Sequence, residues 1–315
     1  SSSGHVRVYI YNGSSWNQIG QDIDGEAAGD NSGTSVSLSS DGSTLAIGAL
    51  KNDGNGSDAG HVRVYSYNAS SWVQIGQDID GEAAGDLLGK SISLNNSGDI
   101  LAIGAEDNDG NGVGAGHVRV YSYNGSSWNQ LGQDIDGEAA GDKFGCSISL
   151  DNTGNIVVVG ALKNDGNGTD AGHARVYSFN GNIWEQVGQD IDAEAAGDNN
   201  GCSVSISGDG SLIASGAYRN AGNGSLAGHV RVYNFLLSGC TDSIACNYDS
   251  LANTDDGSCA YPSTSITTIT TCDSSYTWND STYIQSGTYF YSGLSVSNNY
   301  SMDFDGIDDY VQIPN

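Results

Sequence analysis

Four nine-residue stretches carry most of the chemistry this sequence offers. DIDGEAAGD occupies residues 22–30, 78–86 and 134–142, and DIDAEAAGD occupies 190–198. Each copy sets carboxylates at relative positions 1, 3, 5 and 9. These are Asp22, Asp24, Glu26 and Asp30; Asp78, Asp80, Glu82 and Asp86; Asp134, Asp136, Glu138 and Asp142; and Asp190, Asp192, Glu194 and Asp198. Clustered carboxylates suit a hard cation, since Ca2+ takes about six to eight oxygen ligands. On that reading all sixteen are candidate Ca2+ ligands. The other reading is a turn, with Asp24 capping one helical turn, GEAA, that Gly29 ends. Exposed acid needs no metal: two carboxylates ~6 Å apart in water repel by only about 0.7 kcal/mol, less in salt. Both readings stand on the sequence alone.

The copies start at 22, 78, 134 and 190, a period of 56 residues. GHVRVY-like segments begin in the same step at Gly4, Gly60, Gly116, Gly172 and Gly228, and Trp16, Trp72, Trp128 and Trp184 keep register. A fixed period of this length signals a solenoid, propeller or array. Within residues 34–75, TSVSLSS alternates, STLAIGA is short and apolar, GHVRVYSYN alternates again, and SSWVQIGQ closes the unit. Such runs, bounded by SDG at 40–42, NSG at 96–98, NTG at 152–154 and GDG at 208–210, read as strands joined by tight hairpins. The fold class is all-β: a propeller of four-stranded blades, with small disulfide and β modules after it. A parallel β-helix is the competitor, but its coils are shorter and lack such hairpins.

Up-and-down strands place alternate connections at one end of a blade. DIDGEAAGD links the fourth strand to the next blade, and KNDGNGSDAG and its copies link the second strand to the third. Both loop sets therefore emerge on one face, which collects 23 of the 38 acidic residues. The formal charge of −28 argues against nucleic acid or an anionic membrane as partner. No run reaches the ~18 apolar residues of a membrane helix. The chain begins at Ser1 without methionine and reads as a segment of a longer protein.

FGCSISLDNTGNIVVVGALKNDGNGTDAGHARVYSF at 144–179 resembles an FG-GAP repeat, the blade of integrin-α-like propellers. Phe144-Gly145 stands at the FG position and Gly160-Ala161-Leu162 at GAP. The other copies read Leu88-Gly89, Ser32-Gly33 and Asn200-Gly201 at FG, and the GAP proline is absent throughout. The resemblance covers residues 4–236 and implies a propeller that usually closes with seven blades, so this ring is expected to be incomplete. Integrin-type propellers bind Ca2+ through D-x-D-x-D-G-x-x-D, and DIDGEAAGD has similar ligand spacing. It departs from that pattern at its glycines and at Glu26, and it lies in a different connection.

Catalysis finds little support. All five histidines, His5, His61, His117, His173 and His229, share one place in one strand. Alternation puts His61, Arg63 and Tyr65 on one face, a pattern of blade packing or exposed edge rather than of a site. The tryptophans read as packing too, although an exposed ring of them would stack on sugars. Cys146 and Cys202 lie one period apart, and pairing or two free buried thiols are both open.

Residues 1–236 thus form the propeller, 237–262 a Cys/Asp-rich module, 263–295 a short β-rich segment and 296–315 a truncated opening. GCTDSIACNYDSLANTDDGSC at 239–259 resembles a small module of secreted bacterial surface proteins, which implies disulfide pairing among Cys240, Cys246 and Cys259 and a Ca2+ role for Asp242, Asp249, Asp255 and Asp256. The segment 272–291 resembles an adhesin-like repeat, and its Cys272 is a further pairing candidate. YSMDFDGIDDYVQIPN at 300–315 resembles the start of a laminin-G/concanavalin-like jelly roll. The expected function is a non-catalytic, secreted or cell-surface adhesion platform, Ca2+-assisted, for a protein or glycan. The alternatives are an accessory region of a secreted carbohydrate-active enzyme and a passive spacer.

Overall fold

The computed structural model describes residues 2–249 and 252–261, with the backbone of short strands between residues 266 and 314. The chain divides into two compact units, Ser1–Leu237 and Ser238–Asn315. Every named element in both is a strand. Among the described residues, no helix is long and apolar enough to cross a membrane.

The first unit is a β-propeller stack. In one blade, Ser35–Leu38 pairs with Thr44–Ala49, that strand with His61–Tyr67, and the latter with Trp72–Gln74, all antiparallel. Ile79–Asp80 then returns to the start of His61–Tyr67. The fourth strand of the sequence pattern is therefore split in two. The break falls at Gly76, and at Gly132 and Gly188 in the next copies, all with φ between 72° and 77°. A side chain at Gly76 or Gly132 would also strike Trp128 or Trp184 of the following blade. Two further blades repeat the arrangement over Ser91–Asp136 and Phe144–Asp192. Asn200–Ile206, Leu212–Ala217 and His229–Asn234 make three strands of another, and His5–Tyr11 pairs with Trp16–Asp24 ahead of the first.

The second and third strands of an inner blade are buried on both faces. Ala46, Val62 and Val64 of one blade pack on Ile92, Leu94, Leu101, Ile103, Tyr121 and Trp128 of the next, and the same set recurs one period later. In the SISL strand, Ile92 and Leu94 point into that core while Ser91 and Ser93 point to the following blade. The Ser91 hydroxyl donates to the Gly145 carbonyl at 2.7 Å, and the Ser93 hydroxyl accepts from the Leu150 amide at 3.0 Å. The backbones approach so closely that a Cβ on Gly104 would collide with the Gly145 carbonyl. That is the physical need for glycine in the GA pair.

A side-chain latch closes each junction. The Gln77 amide donates to the Trp128 carbonyl at 2.7 Å and accepts from the Trp128 amide at 3.2 Å, imitating a strand partner. The Trp128 indole donates to the Ile75 carbonyl at 3.2 Å. Gln21 with Trp72 and Gln133 with Trp184 repeat the pattern. These three tryptophans are buried, so among the described residues the series forms no exposed sugar-stacking ring. Trp16 occupies the equivalent position at the open end and is 69% exposed, against 2% for Trp128.

Identical residues in different environments make a direct test. Trp128→Ala should lower unfolding stability by about 3–5 kcal/mol, and Trp16→Ala should stay within about 0.5 kcal/mol. Urea denaturation of the two variants checks the contrast.

Candidate functional site

The two acidic loop families do meet at one end of each blade. The Gly85 amide donates to the Ser57 carbonyl at 2.9 Å, and the Leu87 amide to the Asp58 carbonyl at 3.2 Å. Asn55 Nδ2 donates to the Gly81 carbonyl at 2.7 Å. Gly141 with Val113 and Gly197 with Thr169 continue the seam. Asp24, Glu26, Asp53, Asp80, Glu82 and their later equivalents are exposed on it.

The four carboxylates of one copy go to different partners. At position 9, Asp30, Asp86, Asp142 and Asp198 are buried. Each accepts from a backbone amide of its own loop, as Asp142 does from Ala139 at 3.2 Å, and from an asparagine, here Asn164 Nδ2 at 2.9 Å. GEAA is accordingly a tight turn rather than a helical one. Its clasp is Asp30, which accepts from the Ala27 amide at 3.0 Å, and Gly29 takes φ 111°. At position 1, Asp22 is held by Arg7 Nη2 at 2.7 Å and Asp190 by Arg175 Nε at 2.8 Å, while Gln74 donates to Asp78 at 2.5 Å. The bond from Arg7, with one from Gln18, holds the Asp22 carboxyl down at about 2. Arg175 likewise keeps Asp190 below the usual carboxylate range. At position 3, Asp24, Asp80, Asp136 and Asp192 stay on the surface.

Position 5 reaches onto the following blade. Glu26 meets Arg63 at 3.3 Å, and Glu82, Glu138 and Glu194 meet Arg119, Arg175 and Arg231. The histidine two residues before each arginine comes with it. His61 Nδ1 lies 3.9 Å from Glu26 Oε2, His117 Nδ1 3.9 Å from Glu82 Oε2, and His173 Nδ1 3.7 Å from Asp190 Oδ2. These three imidazoles are 1–2% exposed. Burial pushes each below the ordinary histidine range, assisted by the neighbouring arginine at His61 and His173.

Three convergent groups result: Glu26–His61–Asp78, Glu82–His117–Asp134 and Glu138–His173–Asp190, with ligand atoms within 4.8 Å of one another. Among the described residues, these are the sets of three or more that could hold a metal, and no set draws all its members from one DIDGEAAGD copy. The sequence reading missed them because each triad takes residues from separate strands and loops. The available signal was spacing: the glutamate leads its histidine by 35 residues and the aspartate follows it by 17 in each set.

In the second unit Cys240 pairs with Cys259, and Cys246 is free and exposed. Asp242 accepts from the Ile244 amide at 3.0 Å and from the Tyr261 hydroxyl at 2.7 Å. Asp255 and Asp256 accept from the Gly257 and Ser258 amides, and the Asp249 amide donates to the Cys240 carbonyl. The four aspartates belong to no metal-capable group among the described residues. Cys272 lies outside the described residues. The adhesin-like and jelly-roll expectations fall largely outside them as well. Cys146 and Cys202 are both free, and their thiols each donate to a backbone carbonyl, Gly160 and Gly216, at 3.3 Å.

The FG-GAP repeat family model matches residues 23–65 and 135–177, segments two periods apart. Two FG-GAP repeats are thus present in the propeller. No curated protein matches the chain. Among solved structures, TolB from Acinetobacter baumannii is 13% identical with a TM-score of 0.40, over 94% of this chain and 57% of that one. A putative 6-phosphogluconolactonase from Bacteroides fragilis is 12% identical with a TM-score of 0.36, over 50% and 38%. The β-propeller domain of Cps50 (Swd1) from Myceliophteria thermophila is 10% identical with a TM-score of 0.36, over 64% and 51%. Likeness at this level adds nothing to what the strand pairing of the chain itself establishes.

Two outcomes follow from this geometry. Asp142→Ala strands the Ala139 amide and Asn164 and should cost about 1–3 kcal/mol, whereas Asp136→Ala should fall within about 0.5 kcal/mol in the same denaturation assay. Burial pushes the Cys146 thiol up to about 12. At pH 8 an alkylating reagent should label Cys246 promptly and Cys146 only after unfolding, as peptide mass mapping would show.

Proposed function

We propose that the blade stack is a non-catalytic recognition platform of a secreted or cell-surface protein, binding an extracellular protein or glycan through its acidic loop face. The observation that carries this reading is the seam between the two loop families, which holds an array of exposed carboxylates on a rigid scaffold. Such a field attracts cationic partners and accelerates their encounter. Titratable groups recur in matched sets along the blades, which suits repeated contact with a broad ligand better than one asymmetric reaction centre. The Cys240–Cys259 disulfide supports an oxidising, extracellular setting. Ca2+ enters as an assistant at the exposed carboxylates of the seam, Asp24 and Asp80 among them.

The test uses the intact chain and its Asp24→Asn, Asp80→Asn, Asp136→Asn, Asp192→Asn variant on a panel of cationic proteins and neutral glycans. Expected is saturable binding by at least one class, weakened tenfold or more in the amide variant. Binding that ignores the amide changes would move the ligand off the acidic face, and no binding at all would leave a passive spacer. For Ca2+, thermal unfolding in 10 mM metal should gain about 2.7 kcal/mol per site over chelator if Kd is ~0.1 mM. An unchanged transition removes Ca2+ from the reading.

A further inference from the structure

We propose that Glu26–His61–Asp78, Glu82–His117–Asp134 and Glu138–His173–Asp190 are three equivalent divalent transition-metal sites, best matched to Zn2+. Each would tie an inter-blade loop to the blade that follows it.

The argument begins with the imidazoles. His173 Nδ1 is buried, has no hydrogen-bond partner, and faces Asp190 Oδ2 at 3.7 Å, the one Nδ1 of the three imidazoles so orphaned; Nε2 of His117 and His173 is buried without a partner as well. Buried polar atoms are nearly always satisfied, so an orphan aimed at a carboxylate asks for a third body between them. The facing distances of 3.7–3.9 Å are too long for hydrogen bonds. They lie near the separation of about 3.3 Å between two ligands on one tetrahedral ion with bonds of about 2.0–2.1 Å. The glutamates are exposed enough to move the remaining fraction.

The ligand set selects the ion. One imidazole and two carboxylates fall well short of the oxygen count that Ca2+ wants. They give the ligand number of a catalytic-type zinc shell, three protein ligands plus an open position, with a carboxylate in place of one of its usual imidazoles. The arginine shares the carboxylates of the site. In the first two junctions Arg63 and Arg119 take Glu26 Oε1 and Glu82 Oε1, with Oε2 turned toward Nδ1, and Arg119 also donates to Asp134 at 3.2 Å. In the third, Arg175 pairs with Glu138 and donates at 2.7 Å to Asp190 Oδ2, the oxygen that faces His173 Nδ1, so a bound ion would share that oxygen with the guanidinium. Two carboxylates and one guanidinium leave a net negative charge, and the guanidinium orients the ligands as outer partners of metal sites do. At the next copy, among the described residues, only Glu194 and His229 converge, with Arg231 again on the glutamate.

The decisive experiment is Zn2+ titration calorimetry on the full chain carrying Cys246→Ser, which removes the exposed thiol as a competing ligand. It is paired with zinc-edge X-ray absorption of the loaded protein. Expected are about three zinc ions per chain, a shell containing imidazole nitrogen, and a thermal midpoint that rises with zinc and falls back with chelator. Because Glu26, Glu82 and Glu138 are exposed, Glu26→Gln, Glu82→Gln, Glu138→Gln together should fold normally and bind zinc at least tenfold more weakly. The surface set Asp24→Asn, Asp80→Asn, Asp136→Asn should bind it unchanged. No zinc uptake, a shell of oxygen alone, or uptake indifferent to the glutamine set would each overturn the proposal. Loss of Ca2+ stabilisation or of ligand capture bears only on the platform reading, so the two fail separately.

Discussion

Every other feature of the first unit follows from one constraint: a twisted four-stranded sheet cannot bury either of its own faces. Each blade must borrow its neighbour's surface, and Val118, Val120 and Ile103 reach complete burial only because a blade lies on both sides. The Gly104 approach, the serine hydroxyls and the Gln77–Trp128 latch are consequences of bringing two sheets that close. Where the borrowing stops, the same residue types turn outward. Val230 and Val232, equivalents of Val118 and Val120, are 69% and 65% exposed. The interior junctions are therefore the units of stability, rather than the blades themselves.

The stacking also organises the charge. A chain with 38 acidic and 10 basic side chains has few cations to place. The HxR strands put several of them where two acidic segments of neighbouring repeats converge. Arg175 serves Glu138 on the incoming loop and Asp190 on its own blade. His173 sits beside it with its polar atoms out of water. Position-9 carboxylates are withdrawn into the turn and become structural, whereas position-3 carboxylates remain outside. One acidic motif is thus divided among a turn clasp, an ion-pair junction and a solvent-facing rim.

Much of the fold was legible in the chain. The 56-residue period, the SDG-type hairpins and the alternation of SISL and HVRVY give the strands, their order and the common face of both loop families. The split at Gly76 was not legible, because it answers to the indole of Trp128 in the next repeat. For the His61 and Arg63 face of HVRVY the alternation left blade packing and exposed edge both open, and the neighbouring blade decided for packing. The cysteines show the same limit: spacing left pairing or two free thiols open for Cys146 and Cys202, the resemblance implied pairing among Cys240, Cys246 and Cys259 without fixing it, and among the described residues only Cys240–Cys259 is bonded.

By itself the sequence determined which local pieces exist, because strand, hairpin and turn preferences act over a few residues and repeat without interruption. Only the tertiary structure decided which atoms of those pieces meet. A carboxylate has no preference of its own between an amide, an arginine and an imidazole. Glu82 lies against His117 and Arg119 because the blades stack in one register, and Asp86 lies against Asn108 because its loop closes on the second-to-third-strand loop of the blade that follows. Those distances come from sheet packing across a full repeat, which no nine-residue motif encodes.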